Sequence, residues 1–138
     1  MSIIDSLRPA AGLRVLVSAG ASGIGAAIAL AFRETGARVH VCDIDRLALD
    51  RLAREAPEIT SSMADASVPD DVDLVFDDVQ GALGGLDVLV NNVGIAGPTG
   101  PIHDLKRGDW ERTVSDNLNS QFYFAQRAVP LLRQSAQN

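Results

Sequence analysis

Residues 18–25 read Ser-Ala-Gly-Ala-Ser-Gly-Ile-Gly. They stand between an apolar run, LRVLV (13–17), and an alanine-rich run in which Ile24, Ile28, Ala31 and Phe32 keep helical spacing. A glycine cluster alone is a weak signal. One that ends a strand and opens a helix reads as a phosphate-cradling turn. Glycine lets the backbone turn tightly and approach a pyrophosphate, and the helix N-terminus supplies unpaired N–H groups at the positive end of its dipole. An acidic residue should then close the next strand about 20 residues on, to accept from the ribose hydroxyls. ARVHVCD (37–43) is that strand, and Asp43 lies 18 residues after Gly25. A carboxylate there accepts from a free 2′-OH and repels a 2′-phosphate, which favours NAD over NADP. Arg46 is the nearby basic residue on which an NADP reading would rest. The bland alternative is a glycine-rich connection with no ligand.

The pattern continues outward from this turn. Gly36 is placed to end the first helix, and Leu49, Leu52, Ala53 and Ala56 give a second one up to Pro57. EITSSMAD (58–65) reads as a weaker third strand. Ser67 is the expected N-cap of a helix with Pro69 in its first turn and Val72, Val75, Phe76, Val79 and Leu83 on one face. Gly84-Gly85 ends it, and LDVLVNN (86–92) is the fourth strand. After a Gly/Pro-rich loop (95–104), one helix is expected from about Asp109 to Arg133, with Trp110, Val114, Leu118, Phe122, Ala125, Val129 and Leu132 among its apolar members. Strands alternating with helices imply a parallel sheet with right-handed crossovers. The expected fold class is α/β: a Rossmann-type three-layer arrangement, with about four strands in the order 3-2-1-4 and helices on both faces. Val88, Leu89 and Val90 ask for cover on both faces, yet this order leaves them at an edge. Residues 1–138 therefore read as a single dinucleotide-binding domain, C-terminally truncated and lacking a fifth strand.

Bulk properties narrow the function classes. The 138 residues are 46% hydrophobic and 22% charged, an ordinary globular balance. The net charge of −6 comes with no basic stripe, which argues against nucleic acid and anionic membrane as partners. No apolar run approaches the roughly 20 residues a membrane span requires. MSIIDSLRPAAG (1–12) carries an early Asp and no positive n-region, so no signal peptide is expected and the cytoplasm is the expected compartment. Cys42 is the sole cysteine, which leaves no internal disulfide or cysteine metal cluster and favours a small buried residue. No metal site is expected.

Four motifs, in order and at fitting distances, resemble the short-chain dehydrogenase/reductase family across essentially the whole chain. They are Ser18-Ala19-Gly20-Ala21-Ser22-Gly23-Ile24-Gly25, against Thr-Gly-x-x-x-Gly-x-Gly; Asp65 ending the third strand; Asn91-Asn92-Val93-Gly94, against Asn-Asn-Ala-Gly; and Asn117 after a Trp in WERTVSDNL. The resemblance implies that Ser18, Gly20, Ser22, Gly23, Ile24 and Gly25 form the cofactor turn, with the backbone of 23–25 at the pyrophosphate. Asp43 would hold the adenosine ribose and Asp65 would accept from the adenine amine. Asn91, Val93 and Gly94 would lie along the cofactor. Asn117 is implied as a catalytic residue, the helix Asn that positions a water in the proton relay. Two positions depart from the pattern. Ala19 stands where the family has glycine, so either Ala19 accepts the turn geometry or Gly20 takes the special φ. Val93 replaces Ala and adds bulk near the cofactor.

The family's chemistry is hydride transfer between a nicotinamide and an alcohol or carbonyl substrate, and it uses a Tyr, a Lys four residues later and a Ser. This chain has one Tyr, Tyr123, and one Lys, Lys106, which are 17 apart and cannot form that pair. Arg127 does follow Tyr123 by four residues, but Tyr123 reads as packing in the long helix. His40 lies mid-strand and His103 in a loop, with no catalytic arrangement. The expected function is thus the cofactor-binding half of an NAD-dependent oxidoreductase, inactive alone, from a parent expected to form homo-oligomers. A non-catalytic NAD-binding module and an interaction domain stay open. The substrate is not readable.

Overall fold

The computed structural model describes residues 2–137; Met1 and Asn138, the ends of the expected 1–138 domain, lie outside the described residues. A short helix α1 (Ile3–Ser6) precedes β1 (Arg14–Ser18). Strands β1, β2 (Arg38–Asp43), β3 (Thr60–Met63) and β4 (Val88–Val90) form one parallel sheet in the order β3-β2-β1-β4. Side-chain alternation divides the core into two layers. Val15, Val17, Val39 and Val41 pack under α2 (Gly23–Glu34) and α3 (Arg46–Glu55), with Ala29, Leu49 and Leu52 as helix partners. Leu16 and Cys42 face the other way, onto Val72, Val75, Phe76 and Val79 of α4 (Pro69–Leu83) and Phe124 and Ala128 of α6 (Ser120–Leu132). Each large aliphatic side chain sealed in this way contributes about 1.5–3 kcal/mol. The expected three-layer class and strand order are what the structure shows.

A buried histidine sits on the α4 face of the sheet. His40 is buried, with Nδ1 2.7 Å from Thr60 Oγ1 and Nε2 2.8 Å from Ser62 Oγ. Ser62 donates its proton to Asp78 of α4 at 2.6 Å. Ser62 must therefore accept from His40, which makes the ring the neutral Nε2–H tautomer with Nδ1 accepting from Thr60. Burial lowers the His40 pKa to about 4 against the opposing pull of Asp78. His40 is thus a structural residue of the sheet, mid-strand as its sequence position implies.

Helix ends follow their residues, with one correction. Thr35 closes α2, followed by Gly36 at φ +86°; Gly84 closes α4 at φ +73°. The N-cap of α4 is Val68, not the expected Ser67. Ser67, one residue before the cap, gives both its N–H and its O–H to Asp65 Oδ1, at 2.9 and 2.7 Å, so its hydroxyl is not available to cap. Past Gly85 a bidentate pair ties the sheet: Arg14 Nη2 and Nε reach Asp87 at 2.8 and 2.9 Å. Asp87 also accepts from the Arg14 N–H and the Ser135 hydroxyl, and these bonds hold its carboxyl far below the usual carboxylate range. The starts of β1 and β4 and the segment after α6 are joined at this one carboxylate.

The helix expected over 109–133 runs without a break from Arg107 to Leu132, and a π turn (Ser115–Asn119) divides it into α5 (Arg107–Val114) and α6. Its apolar residues occupy two faces. Phe124 and Ala128 are buried, whereas Trp110, Leu118, Phe122 and Val129 are exposed. A helix apolar on both sides carries no periodic signal of which side faces the core. Tyr123, half-buried, packs against the α4 layer, as its packing role requires. Ile24, counted in the apolar spacing of α2, is exposed, and it starts the helix rather than facing the sheet. Among the described residues no helix is long and apolar enough to cross a membrane.

Candidate functional site

The site forms where β1 stops. Ala19 takes φ +49°, the left-handed conformation that a Cβ disfavours. Gly20 does not take it over. It is glycine for space instead: a Cβ there would lie 2.7 Å from Val41 Cβ and 2.8 Å from Val17 O. Its N–H donates to Cys42 O at 3.0 Å. Relieving the strain is a direct test of this division. Ala19→Gly is expected to stabilise the chain by about 0.5–1 kcal/mol in denaturant melts, because the φ cost exceeds the entropy glycine adds to the unfolded state. No gain would mean that the turn is not strained at Ala19.

Ser22 holds the N-cap of α2 in extended conformation and its side chain makes no capping bond. The first N–H groups of α2 are thereby left without a side-chain partner, the arrangement that suits an anion. Gly23 has φ +53° and open space where a Cβ would stand. Gly25 is the reverse. Its Cα packs against the Ala19 carbonyl oxygen and the Asn92 amide, with no room for a methyl group.

Two residues brace this turn from behind. Ser18 is fully buried; its hydroxyl donates to Val90 O at 3.3 Å and accepts the Asn92 N–H at 3.0 Å. Asn92 donates its amide protons to Ser18 O and Ala19 O at 3.2 and 3.1 Å. Sequence reasoning named Asn91, Val93 and Gly94 from this motif and passed over Asn92. The signal was present, since an Asn between a strand and a glycine can bond a neighbouring turn. Asp43 is a third brace: Oδ2 accepts the Ala21 N–H at 3.1 Å and Oδ1 the Asp45 N–H at 3.0 Å.

A cleft of about 660 Å³ opens from Ala19 between two segments. Cys42 and Asp43 end β2, and Asp65 and Ala66 follow β3; Val93, Gly94 and Ile95 follow β4; Glu111 and Arg112 come from α5 and Asp116 from the π turn. Cys42 lies buried here, and burial pushes its thiol up to about 12, so it stays protonated at neutral pH. Asp65 Oδ1 takes the two Ser67 bonds, and among the described residues nothing donates to Oδ2.

Asn117 lies in the π turn and clasps the loop after β4 at two points. Oδ1 accepts the Ile95 N–H at 2.7 Å, and Nδ2 donates to Ile95 O at 2.8 Å. Gln121 supports the same loop, donating to Val93 O at 3.1 Å, and Asn91 reaches Gln121 O at 3.4 Å. Ser18, Gly20, Ser22, Gly23, Ile24 and Gly25 are thus gathered at the turn. Asp43, Asp65, Val93 and Gly94 line the cleft, with Asn117 holding its far wall. Gln121 and Asp116 were not foreseen, because they join the site at a π turn that sequence periodicity does not show. Among the described residues no group of three or more His, Cys, Asp or Glu is arranged to hold a metal ion.

Comparison with known proteins adds independent information. The family model described as enoyl-(acyl carrier protein) reductase matches residues 18–137. A short chain dehydrogenase/reductase of Macrophomina phaseolina is 33% identical over 129 residues, covering 90% of this chain and 74% of the relative. A similar protein from Colletotrichum higginsianum is 34% identical, over 86% of this chain and 46% of its own length. A 3beta-hydroxysteroid dehydrogenase of Eggerthella lenta is 36% identical over 86% of this chain and 47% of its own. In three dimensions the chain matches a short-chain dehydrogenase/reductase crystal structure from Brucella melitensis. The TM-score is 0.82 at 34% identity, over 88% of this chain and 53% of that one. The chain spans about half the length of most of these relatives.

Proposed function

The chain belongs to the short-chain dehydrogenase/reductase family, and from that membership we propose that it is the NAD-binding half of an oxidoreductase. The parent would move a hydride between a nicotinamide and an alcohol or carbonyl, and residues 1–138 would form one dinucleotide-binding domain within it. The carrying observation is the turn itself: Gly25 closed against Ala19 and Asn92, Gly23 open, and the start of α2 uncapped beside the cleft. The residues fit a dinucleotide. The N–H groups of Gly23, Ile24 and Gly25 would face the pyrophosphate. Asp43 would take the adenosine ribose diol, Asp65 the adenine amine, and Asn91, Val93 and Gly94 the path toward the nicotinamide, which supplies the hydride chemistry. Asn117, implied by the resemblance as catalytic, would act by holding Ile95 and the loop that ends the path. Asp43 supports NAD over NADP, because a 2′-phosphate would meet a carboxylate already ordered by the turn. With Tyr123 packed in α6 and no Tyr–Lys pair in the sequence, the 138 residues alone would turn over no substrate.

Calorimetric titration tests this. NAD should bind, and NADP at least tenfold more weakly, the value of about 1.4 kcal/mol. Asp43→Ala should weaken NAD at least about tenfold, the low end of a lost bond to a charged group. Asp43→Asn, which can still accept the Ala21 N–H, separates the brace from the ribose contact. No NAD binding by the unaltered chain would sink the reading.

A second reading, an interaction domain, is favoured by the exposed Trp110, Leu118, Phe122 and Val129 along α5 and α6 and by β4 at the edge of the sheet. Both readings carry self-association of this chain as an expected result. Sedimentation should show concentration-dependent dimers or larger species; a clean monomer at high concentration would contradict it.

A further inference from the structure

We propose that Asp116 is a specificity-determining residue of the cleft: it accepts one hydrogen of a purine 6-amino group while Asp65 accepts the other, so that an adenine dinucleotide is preferred over a hypoxanthine one. The inference rests on the dinucleotide reading above and deepens it.

The placement comes from the π turn. Asn117 bonds both the N–H and the C=O of Ile95, which pins Ser115–Asn119 against the loop after β4. That clasp holds Asp116 at the cleft, which runs between this turn and the segment carrying Asp65. The Asp116 side chain is 17% exposed, while its partner Arg112 is 78% exposed and touches it only at 3.6 Å through Nε. Among the described residues this is the sole ion pair of the Asp116 carboxylate, and no N–H or hydroxyl donates to it. The other carboxylates of the cleft are more committed. Asp43 has a backbone N–H on each oxygen. Asp65 has two donors on Oδ1 and, among the described residues, none on Oδ2. Glu111 is exposed.

Carboxylates only accept, so what remains unfilled on these walls is acceptor capacity. A 6-amino group carries two N–H donors and matches two acceptors. Hypoxanthine presents a carbonyl oxygen at the same position, which would face carboxylate oxygen and leave both sides unpaired. Sites built on hydrogen bonds reject the unmatched analogue more strongly than apolar ones do.

The test is the ratio of Kd for nicotinamide hypoxanthine dinucleotide to that for NAD, measured by calorimetry on the full chain. The unaltered chain is expected to prefer NAD by about tenfold or more, the value of one bond to a charged group. Asp116→Asn can turn its NH₂ toward a carbonyl oxygen and should bring the ratio to about twofold or less. Asp116→Leu should also lower it, through weaker NAD binding. A merely structural role would weaken both ligands equally and leave the ratio where it was. Equal affinities in the unaltered chain, or a ratio unchanged in Asp116→Asn, would overturn the proposal while the functional reading stands. No NAD binding by the unaltered chain would overturn both.

Discussion

Acidification from pH 7 to pH 4 is expected to remove about 3 kcal/mol of folding stability through one side chain, His40. In the unfolded chain the imidazole titrates near its ordinary value of 6.5; in the folded chain burial lowers it to about 4. As the pH falls below 6.5 the unfolded state takes up the proton first. The contribution is therefore complete above the unfolded value and is lost on the way down to the folded one. The geometry gives the reason. A second proton on the ring would have to sit on Nδ1, which accepts from Thr60, while Nε2 already donates to Ser62. Asp87 acts in a different window. Its lowered carboxyl stabilises the fold above the ordinary carboxylate range, so its loss begins only as the pH drops through that range. Denaturant melts between pH 7 and pH 4.5 isolate the histidine. His40→Gln can accept from Thr60 and donate to Ser62 without charging, and it should flatten the slope. A slope unchanged by that substitution would place the acid sensitivity elsewhere.

Gly25→Ala should cost about 3 kcal/mol and reduce dinucleotide binding below detection at concentrations that saturate the unaltered chain. The added Cβ would press on the Ala19 carbonyl oxygen and come within 2.6 Å of Asn92 Nδ2. The carbonyl is backbone and cannot swing away. Overpacking of this kind costs about 1–3 kcal/mol, and the two Asn92 bonds that tie the turn add about 1 kcal/mol each when lost. Gly23→Ala is the matched control. There the space is open and only the φ of +53° is penalised, for about 1–2 kcal/mol. Equal losses at the two positions, read by melts and by titration, would mean that close approach at Gly25 is not what the turn requires.

These contrasts locate what was legible beforehand. The strand–turn–helix frame around 18–25 was readable because alternation and helical spacing are local properties, set by which side chains a pleat or a helix turns inward. So were the strand order, once helices were seen to separate the strands, and the gathering of Asp43 and Asp65 at strand ends. Ser67 failed as a cap because Asp65, two residues back, competes for its hydroxyl. The long helix was legible as one helix; the π turn inside it was not, because such a turn leaves no mark in apolar spacing when both faces are apolar.

By itself the sequence determined the class of fold, the chain order of the sheet, the position of the turn and the family, because each follows from patterns within about 20 residues or from ordered motifs. Tertiary structure alone decided how the work is shared within them. Ala19 bears the strained φ, while Gly20 is needed for space, because Val41 from the next strand leaves it no room for a side chain. Asn92, 73 residues from Ala19, ties the turn to β4. Asn117 clasps Ile95 and carries Asp116 to the cleft because a π turn offsets the helix there. Each of these depends on contacts between segments far apart in the chain, which no local pattern records.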